Sequence, residues 1–410
     1  GAGDLALANV DVELYSSADV YIGSTTTDGS GNFSFWVVDG DYKVRARSAT
    51  IGDGNTVPHG SFNAVCGITD PASGVACAVA EQTWANGVAA YGGQSATADD
   101  TATNDNSGPG DTWTSVTVSG ADVTGVNFGF AYNLIVNISD GGQGSLRQFL
   151  INANAIGSDN GTTANYSEFR VPNADLTAGV AVISPTTALP ILTDAGTTID
   201  GTTQTDNIGN TNAVTLGTGG TVGVGADGVA GTGDEIPLPQ VAGPEVEIRD
   251  GAALTDGFVL QANDLTVRGL AMLGFGAADT DAAIVIADGV TNWLIEENIL
   301  GSTATSFTDP GTALRNRLAI VGLGGDNGTI QNNLVGFDKR RGIWLSNATL
   351  NSTISGNEVR DTGLESNDGD GIAIIQSSAN NTVSGNLITG ASSQGFVVNN
   401  SAFDNDFINN

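Results

Sequence analysis

Lysine is almost missing from this chain of 410 residues: Lys43 and Lys339 are the only two, beside eleven arginines, one histidine (His59), two cysteines and one methionine. Basic residues number 13 against 45 acidic ones, a formal charge of −32. Nucleic acid is excluded as a partner, because neutralising phosphates takes clustered Lys and Arg. Long hydrophobic runs are absent too. No stretch approaches the roughly 18 consecutive apolar residues of a membrane-spanning helix. The chain starts at Gly1 without a leader, which is expected of a mature, processed protein. The two cysteines, Cys66 and Cys77, bracket the short polar segment CGITDPASGVAC. This predicts a local disulfide and an oxidising compartment, with a loop-closure contribution of about 2–3 kcal/mol. Zinc would need two further ligands, which His59 does not supply.

What is abundant is glycine, 58 residues, together with Asp, Asn, Ser and Thr, while 40% of the chain is hydrophobic. That allows a real core and excludes a disordered tail. Asp-rich, Lys-poor chains of this kind suit a secreted surface protein that uses Asp and Asn in turns and for calcium. An acidic halophilic surface is the competing explanation.

The first 132 residues read as all-β. VDVELYSS, NFSFWVVDG and DYKVRARS alternate apolar and polar residues, and Asp28-Gly29-Ser30-Gly31-Asn32 is a strong turn signal between two of them. The stretch from about 48 to 112 is weakly patterned. It carries the cysteine pair and the acidic run ATADDTATNDNSGPGD, and reads as an insertion. TTTDGSGNFSF (Thr25–Phe35) and GDYKVRA (Gly40–Ala46) resemble the hairpin and following strand of the prealbumin-like β-sandwich of bacterial surface proteins, the Cna-B and carboxypeptidase-regulatory-like group. The resemblance implies a stalk or spacer module over residues 1–132.

From residue 133 onward the pattern changes. Leu146, Phe149, Leu150 and Ala153 fall at helical spacing, with Ser145 placed to cap the helix. Beyond it an internal repeat emerges: LTVRGLAML, LIEENILGS, TIQNNLVGF, TISGNEVRD, TVSGNLITG and DFINN. The repeat aligns the apolar residues Val267, Ile295, Ile330, Ile354, Val383 and Phe407. Three residues on, it brings Asn298, Asn333, Asn357, Asn386 and Asn410 into line. Those asparagines are expected at one corner of successive coils, in left-handed backbone conformation, stacked as a structural hydrogen-bonded ladder. The amphipathic helix and the LPILTDAGTTIDGTTQ run resemble the capped opening of secreted right-handed parallel β-helices. The implied fold is therefore all-β: a β-sandwich (1–132), then a right-handed parallel β-helix (133–410) with a short capping helix and about ten coils. The last aligned motif ends at Asn410, so the final coil is expected to continue or to meet another molecule.

Chemistry is sparse. Polygalacturonase-like hydrolases of this fold need a Gly-His-Gly motif, and the β-helix region contains no histidine. The run Asp338-Lys339-Arg340-Arg341 is the only basic cluster. It is a candidate for an interface or an anionic ligand beside Asp361, Asp368 and Asp370; a lyase base there would need a depressed pKa. The candidate calcium loop is GADGVAGTGDEIP, with Asp227, Asp234 and Glu235 as ligands. Trp293 and Trp344 fall near equivalent coil positions, as a stacked pair in the core or at an interface. The reading that follows is an extracellular, non-enzymatic structural or adhesive surface protein. Copies of itself are its expected partners, joined head to tail or by strand edges. A polysaccharide binder or lyase acting on acidic glycans is the alternative.

Overall fold

The computed structural model describes residues 6–51, 78–100, 108–156 and 165–410. Cys66, Cys77 and the disulfide expected between them lie outside the described residues, as does His59. The chain divides into two compact units, Gly1–Pro172 and Asn173–Asn410.

The first unit is built on two antiparallel sheets. One orders the strands Tyr21–Thr26, Asp11–Ser16, Gly40–Ala46 and Trp113–Val118; the other orders Val88–Ala89, Glu81–Ala85 and Phe128–Ala131. The sandwich-like core follows from the alternation in the sequence. Val12, Leu14, Val44 and Val116 point inward and meet Phe33, Phe35, Val37 and Phe128. Their burial is the main stabilising term, roughly 1.5–3 kcal/mol for each large side chain. Of NFSFWVVDG, Asn32–Asp39 keeps its strand-like alternation but joins no sheet among the described residues, and Gly40 begins the strand Gly40–Ala46. The helix Leu146–Ile156 belongs to this unit and buries Leu146, Phe149, Leu150 and Ala153. The Ser145 hydroxyl accepts from the Gln148 amide at 3.1 Å, the contact of an N-cap residue.

The second unit is a parallel β-helix. Short strands, mostly of three or four residues, repeat three to a coil and pair with the coils before and after. The first stack runs from Ala181–Ile183 to Leu387–Thr389, the second from Thr198–Asp200 to Asp406–Ile408, and the third from Phe258–Leu260 to Phe396–Asn399. The first two stacks hold seven strands and the third six, fewer than ten coils, because the residues up to Pro172 fall in the first unit and residues 209–245 leave the coil path. That segment forms two antiparallel hairpins instead, Thr215–Leu216 with Val241–Ala242 and Thr221–Val222 with Ile236–Pro237. Register in the second stack joins Ile199, Val267, Ile295, Ile330, Ile354, Val383 and Phe407 in one column. All but the last are fully buried. The outward face of the first stack is apolar as well: Ala271, Ile299 and Leu334 pack with Val241, Phe307 and Phe337.

Candidate functional site

The corner between the first and second stacks carries the asparagines. From Asn333 onward, each Oδ1 accepts from two groups of the previous coil's asparagine, its main-chain amide and its Nδ2; Asn298 Oδ1, the first, accepts from the Leu270 amide. Asn298 gives 3.0 and 3.1 Å to Asn333; Asn333 gives 3.0 and 2.9 Å to Asn357. The column continues from Asn357 to Asn386 and from Asn386 to Asn410. Each Nδ2 also donates to a main-chain carbonyl, as Asn357 does to Ile330 at 2.9 Å. The left-handed residue of this corner is not the ladder asparagine but the one before it: Glu297, Asn332, Gly356, Gly385 and Asn409 have φ of 56°, 57°, 64°, 63° and 48°. The tight turn is made there, which leaves the asparagine outside the left-handed region and free to bond to the next coil. A second ladder, at the corner between the third and second stacks, has Ser352, Asn381 and Asn405. Ser352 N donates to Asn381 Oδ1 at 2.8 Å, and Asn381 N to Asn405 Oδ1 at 3.0 Å. Its mixed Ser/Asn identity and short run hide it in the sequence.

The basic run lies at the third corner, between Leu334–Gly336 of the first stack and Ile343–Ser346 of the third. Neighbouring coils fix its main chain: Lys339 N donates to Asn316 O, and Arg340 N to Arg317 O. Arg340 holds Asp368 through Nη2 at 2.6 Å and donates to the Asp279 carbonyl at 2.7 Å. Arg341 binds Asp370 at 2.8 Å and the other oxygen of Asp368 at 2.5 Å. Both guanidinium groups lie over the Trp344 ring, 5.0 and 4.8 Å from its centre. Arg315 pairs with Asp309 and Glu365, and Arg317 with Asp279. Burial works to raise the Asp368 pKa, but Arg340 and Arg341 outweigh it, and the carboxyl is held below its usual range. Five cations thus face five carboxylates, and Lys339 is the one cation among them without an ion pair. An anionic ligand at Arg340 or Arg341 would have to displace carboxylates already in place.

Asp338, the first residue of the run, takes no part in this. It is fully buried, and neither carboxyl oxygen has a hydrogen-bond partner. Desolvation raises its pKa well above the usual carboxylate range. Asp361 follows the strand Glu358–Arg360 at the next corner down, at a φ of 48°.

Trp293 and Trp344 do not stack. Trp344 stands in the third stack in register with Val321 and Ala373, whereas Trp293 precedes the second-stack strand Leu294–Glu296. Each is buried in its own column, at 1% and 7% exposure. A Cβ on Gly328, one coil beyond Trp293, would sit 1.9 Å from the indole, so this position admits only glycine.

The acidic loop Gly225–Pro237 spends its carboxylates on itself. Asp234 accepts from the Ala226 and Asp227 amides at 2.7 and 3.1 Å and from the Thr232 hydroxyl at 2.9 Å. Asp227 accepts from Val229 N at 2.8 Å, and Glu235 from Thr232 N and Gly233 N at 2.7 and 2.9 Å. The Thr232 hydroxyl first, then the loop amides, hold Asp234 below its usual range; the Thr232 amide does most for Glu235. Among the described residues no group of three or more His, Cys, Asp or Glu side chains is arranged to hold a metal ion.

Sequence reasoning did not find the buried charges of the first unit. Arg45, wholly buried, bridges Glu13 at 2.9 Å and Asp100 at 2.7 Å. Among the described residues, Glu81 and Asp111 have no ion pair. Burial, with repulsion from the neighbouring carboxylates, pushes Glu81 up to about 8 and Asp111 to about 7. These contacts join residues tens of positions apart, and no local pattern announces them.

The right-handed β-helix region family matches residues 277–410. No curated protein matches the chain. Among solved structures, full-length tailspike protein 2 from Escherichia coli O157:H7 bacteriophage CAB120 is similar at 16% identity, over 60% of this chain and 33% of that one, with a TM-score of 0.23. The chain thus spans about a third of that protein's length. No helix of the described residues is long and apolar enough to cross a membrane.

Proposed function

We propose that the protein is an extracellular structural or adhesive surface protein, a self-assembling subunit of a filament, sheath or surface layer. One observation carries this reading: the conspicuous polar residues of the β-helix are consumed in building it. The asparagines bind one another, and Arg340 and Arg341 bind Asp368 and Asp370. What remains is a scaffold whose side chains are committed to its own coils. A parallel β-helix suits that role, since each coil is held by its neighbours and the array extends without a new core.

The test is negative-stain electron microscopy of natively purified protein, with and without calcium. Filaments or sheets are the expected result; monodisperse particles under all conditions would remove the reading. Calcium enters this proposal at Asp227, Asp234 and Glu235, where an ion would have to replace the hydrogen bonds these carboxylates make within the loop. A bound ion there predicts that exhaustive chelation lowers the melting temperature, and an unchanged melting curve would remove calcium from the account.

A second reading has its own observation. Lys339 is the cation of the Asp338–Arg341 run that lacks an ion pair, and it is the residue an acidic glycan would meet without displacing a carboxylate. Retention on acidic polysaccharides that is lost in Lys339→Ala would favour binding. New unsaturated ends, read by absorbance, would favour a lyase.

A further inference from the structure

Phe33–Val38 has the pleat of a β-strand but, among the described residues, no strand paired beside it. Phe33, Phe35 and Val37 pack inward on Val12, Leu14 and Val44. Between them Ser34, Trp36 and Val38 face solvent, Trp36 at 98% and Val38 at 78% exposure. Among the described residues, no main-chain amide or carbonyl of residues 33–38 bonds to another main-chain group; the Val38 carbonyl accepts the Tyr42 hydroxyl, at 2.9 Å. A row of free donors and acceptors on an extended backbone, carrying a fully exposed tryptophan, is what an added strand recognises. Glycans and lipids do not supply that alternation of amide and carbonyl at strand spacing; a polypeptide does.

We infer that Phe33–Val38 is an antiparallel self-pairing edge, and that its occupant is the same segment of a second copy of this chain. The register is self-complementary. With the dyad at Trp36, Trp36 meets Trp36 of the partner subunit, Ser34 meets Val38 of the partner subunit, and Phe35 meets Val37 of the partner subunit. This arrangement keeps Phe33, Phe35 and Val37 on the core side in both copies, as the two-residue period of a strand requires. Charge points the same way. The run Asn32–Val38 is uncharged in a chain of −32. In this register Asp39 falls opposite Phe33 and Asp41 opposite Gly31, so no carboxylate confronts another. Elsewhere on so acidic a molecule, like charges oppose self-association. The aromatic pair at the dyad adds apolar contact.

The inference rests on the assembly reading and names one of its contacts; this contact joins subunits two by two, and a fibre needs a second. Sedimentation equilibrium of the full chain over about 1–100 µM tests it. A dimer is expected for the native chain. Trp36→Lys should weaken it at least about tenfold by placing two like charges at the dyad, with the melting temperature unchanged at concentrations where both proteins are monomeric, because the side chain touches no core. Trp36→Phe should keep it. A native chain that stays monomeric throughout, or a dimer indifferent to Trp36→Lys, would overturn the inference. Filaments formed equally by Trp36→Lys would overturn this contact while leaving assembly standing; a native chain with neither dimers nor filaments would overturn both.

Discussion

At the scale of single residues, the informative case is Asp338. From the sequence it heads a basic run and looks like a surface carboxylate. The structure turns it inward, with neither oxygen hydrogen-bonded, and leaves Arg340 and Arg341 to find Asp368 and Asp370. Nothing local announces this, because the direction of a corner side chain is set by the coils above and below. A carboxyl so placed stays protonated in the folded state well above the usual carboxylate range. In the unfolded chain it ionises near pH 4. The folded state therefore binds the extra proton, and stability falls as pH rises from about 4 through the raised folded value. Asp338→Asn removes the ionisable group. Its stability should fall less than the native protein's between pH 5 and 9, whatever its absolute value at pH 5. Urea titrations at the two pH values measure this, and equal slopes for the two proteins would show that Asp338 does not titrate as its burial demands.

At the scale of elements, the coils were legible because their signals are periodic. The column Val267, Ile295, Ile330, Ile354, Val383, Phe407 and the column of corner asparagines recur at coil spacing in the sequence, and each column is a rung-to-rung neighbour series in the fold. The left-handed turn one residue earlier was missed, since Glu297 and Asn332 carry no turn signal that separates them from their neighbours. Also missed was the strap of residues 209–245, whose Thr218 binds Glu358, 140 positions on, through its hydroxyl at 2.8 Å. Contacts that distant leave no local pattern. The ladder itself yields a prediction. Asn357 accepts from the Asn333 amide and Nδ2, and donates to Ile330 O and Asn386 Oδ1, all between 2.9 and 3.0 Å. Asn357→Ala strands the two buried Asn333 donors and leaves the Ile330 carbonyl and Asn386 Oδ1 each one donor short, at a cost of about 2–4 kcal/mol. Asn357→Asp matches it in shape but lacks the donating Nδ2 and adds a buried charge. It should be the more damaging of the two at pH 7 and recover towards pH 4, where the acid is neutral. Denaturant midpoints for both variants at both pH values decide this; an Asn357→Ala midpoint equal to the native one would mean that the ladder is decoration on coils held by their apolar columns alone.

At the scale of the whole molecule, charge is the governing quantity. All eleven arginines are paired with carboxylates, and so is Lys43. The net −32 therefore belongs to the surplus of carboxylates, a few of which, such as Glu81 and Asp111, are held inside the first unit. The two populations respond differently to the solvent. Surface repulsion is screened within a Debye length of about 10 Å at 0.1 M salt, so salt should raise the melting temperature of both units. Glu81 and Asp111 are largely removed from that screening. Their folded pKa values, about 8 and about 7, lie above the unfolded ones near 4. The stability they lend is full below about pH 4 and is lost as pH rises through 7 and 8. Calorimetry of the full chain should show the transition of the first unit moving down between pH 5 and 9 in low salt. About 0.5 M salt should restore only part of that shift. The Glu81→Gln variant should lose Glu81's share of the part that salt cannot reach, leaving that of Asp111, because its side chain keeps the polar shape without the proton equilibrium. If salt alone abolished the pH dependence, surface repulsion would account for all of it, and the buried carboxylates of the first unit would have to be hydrated and ionised at neutral pH.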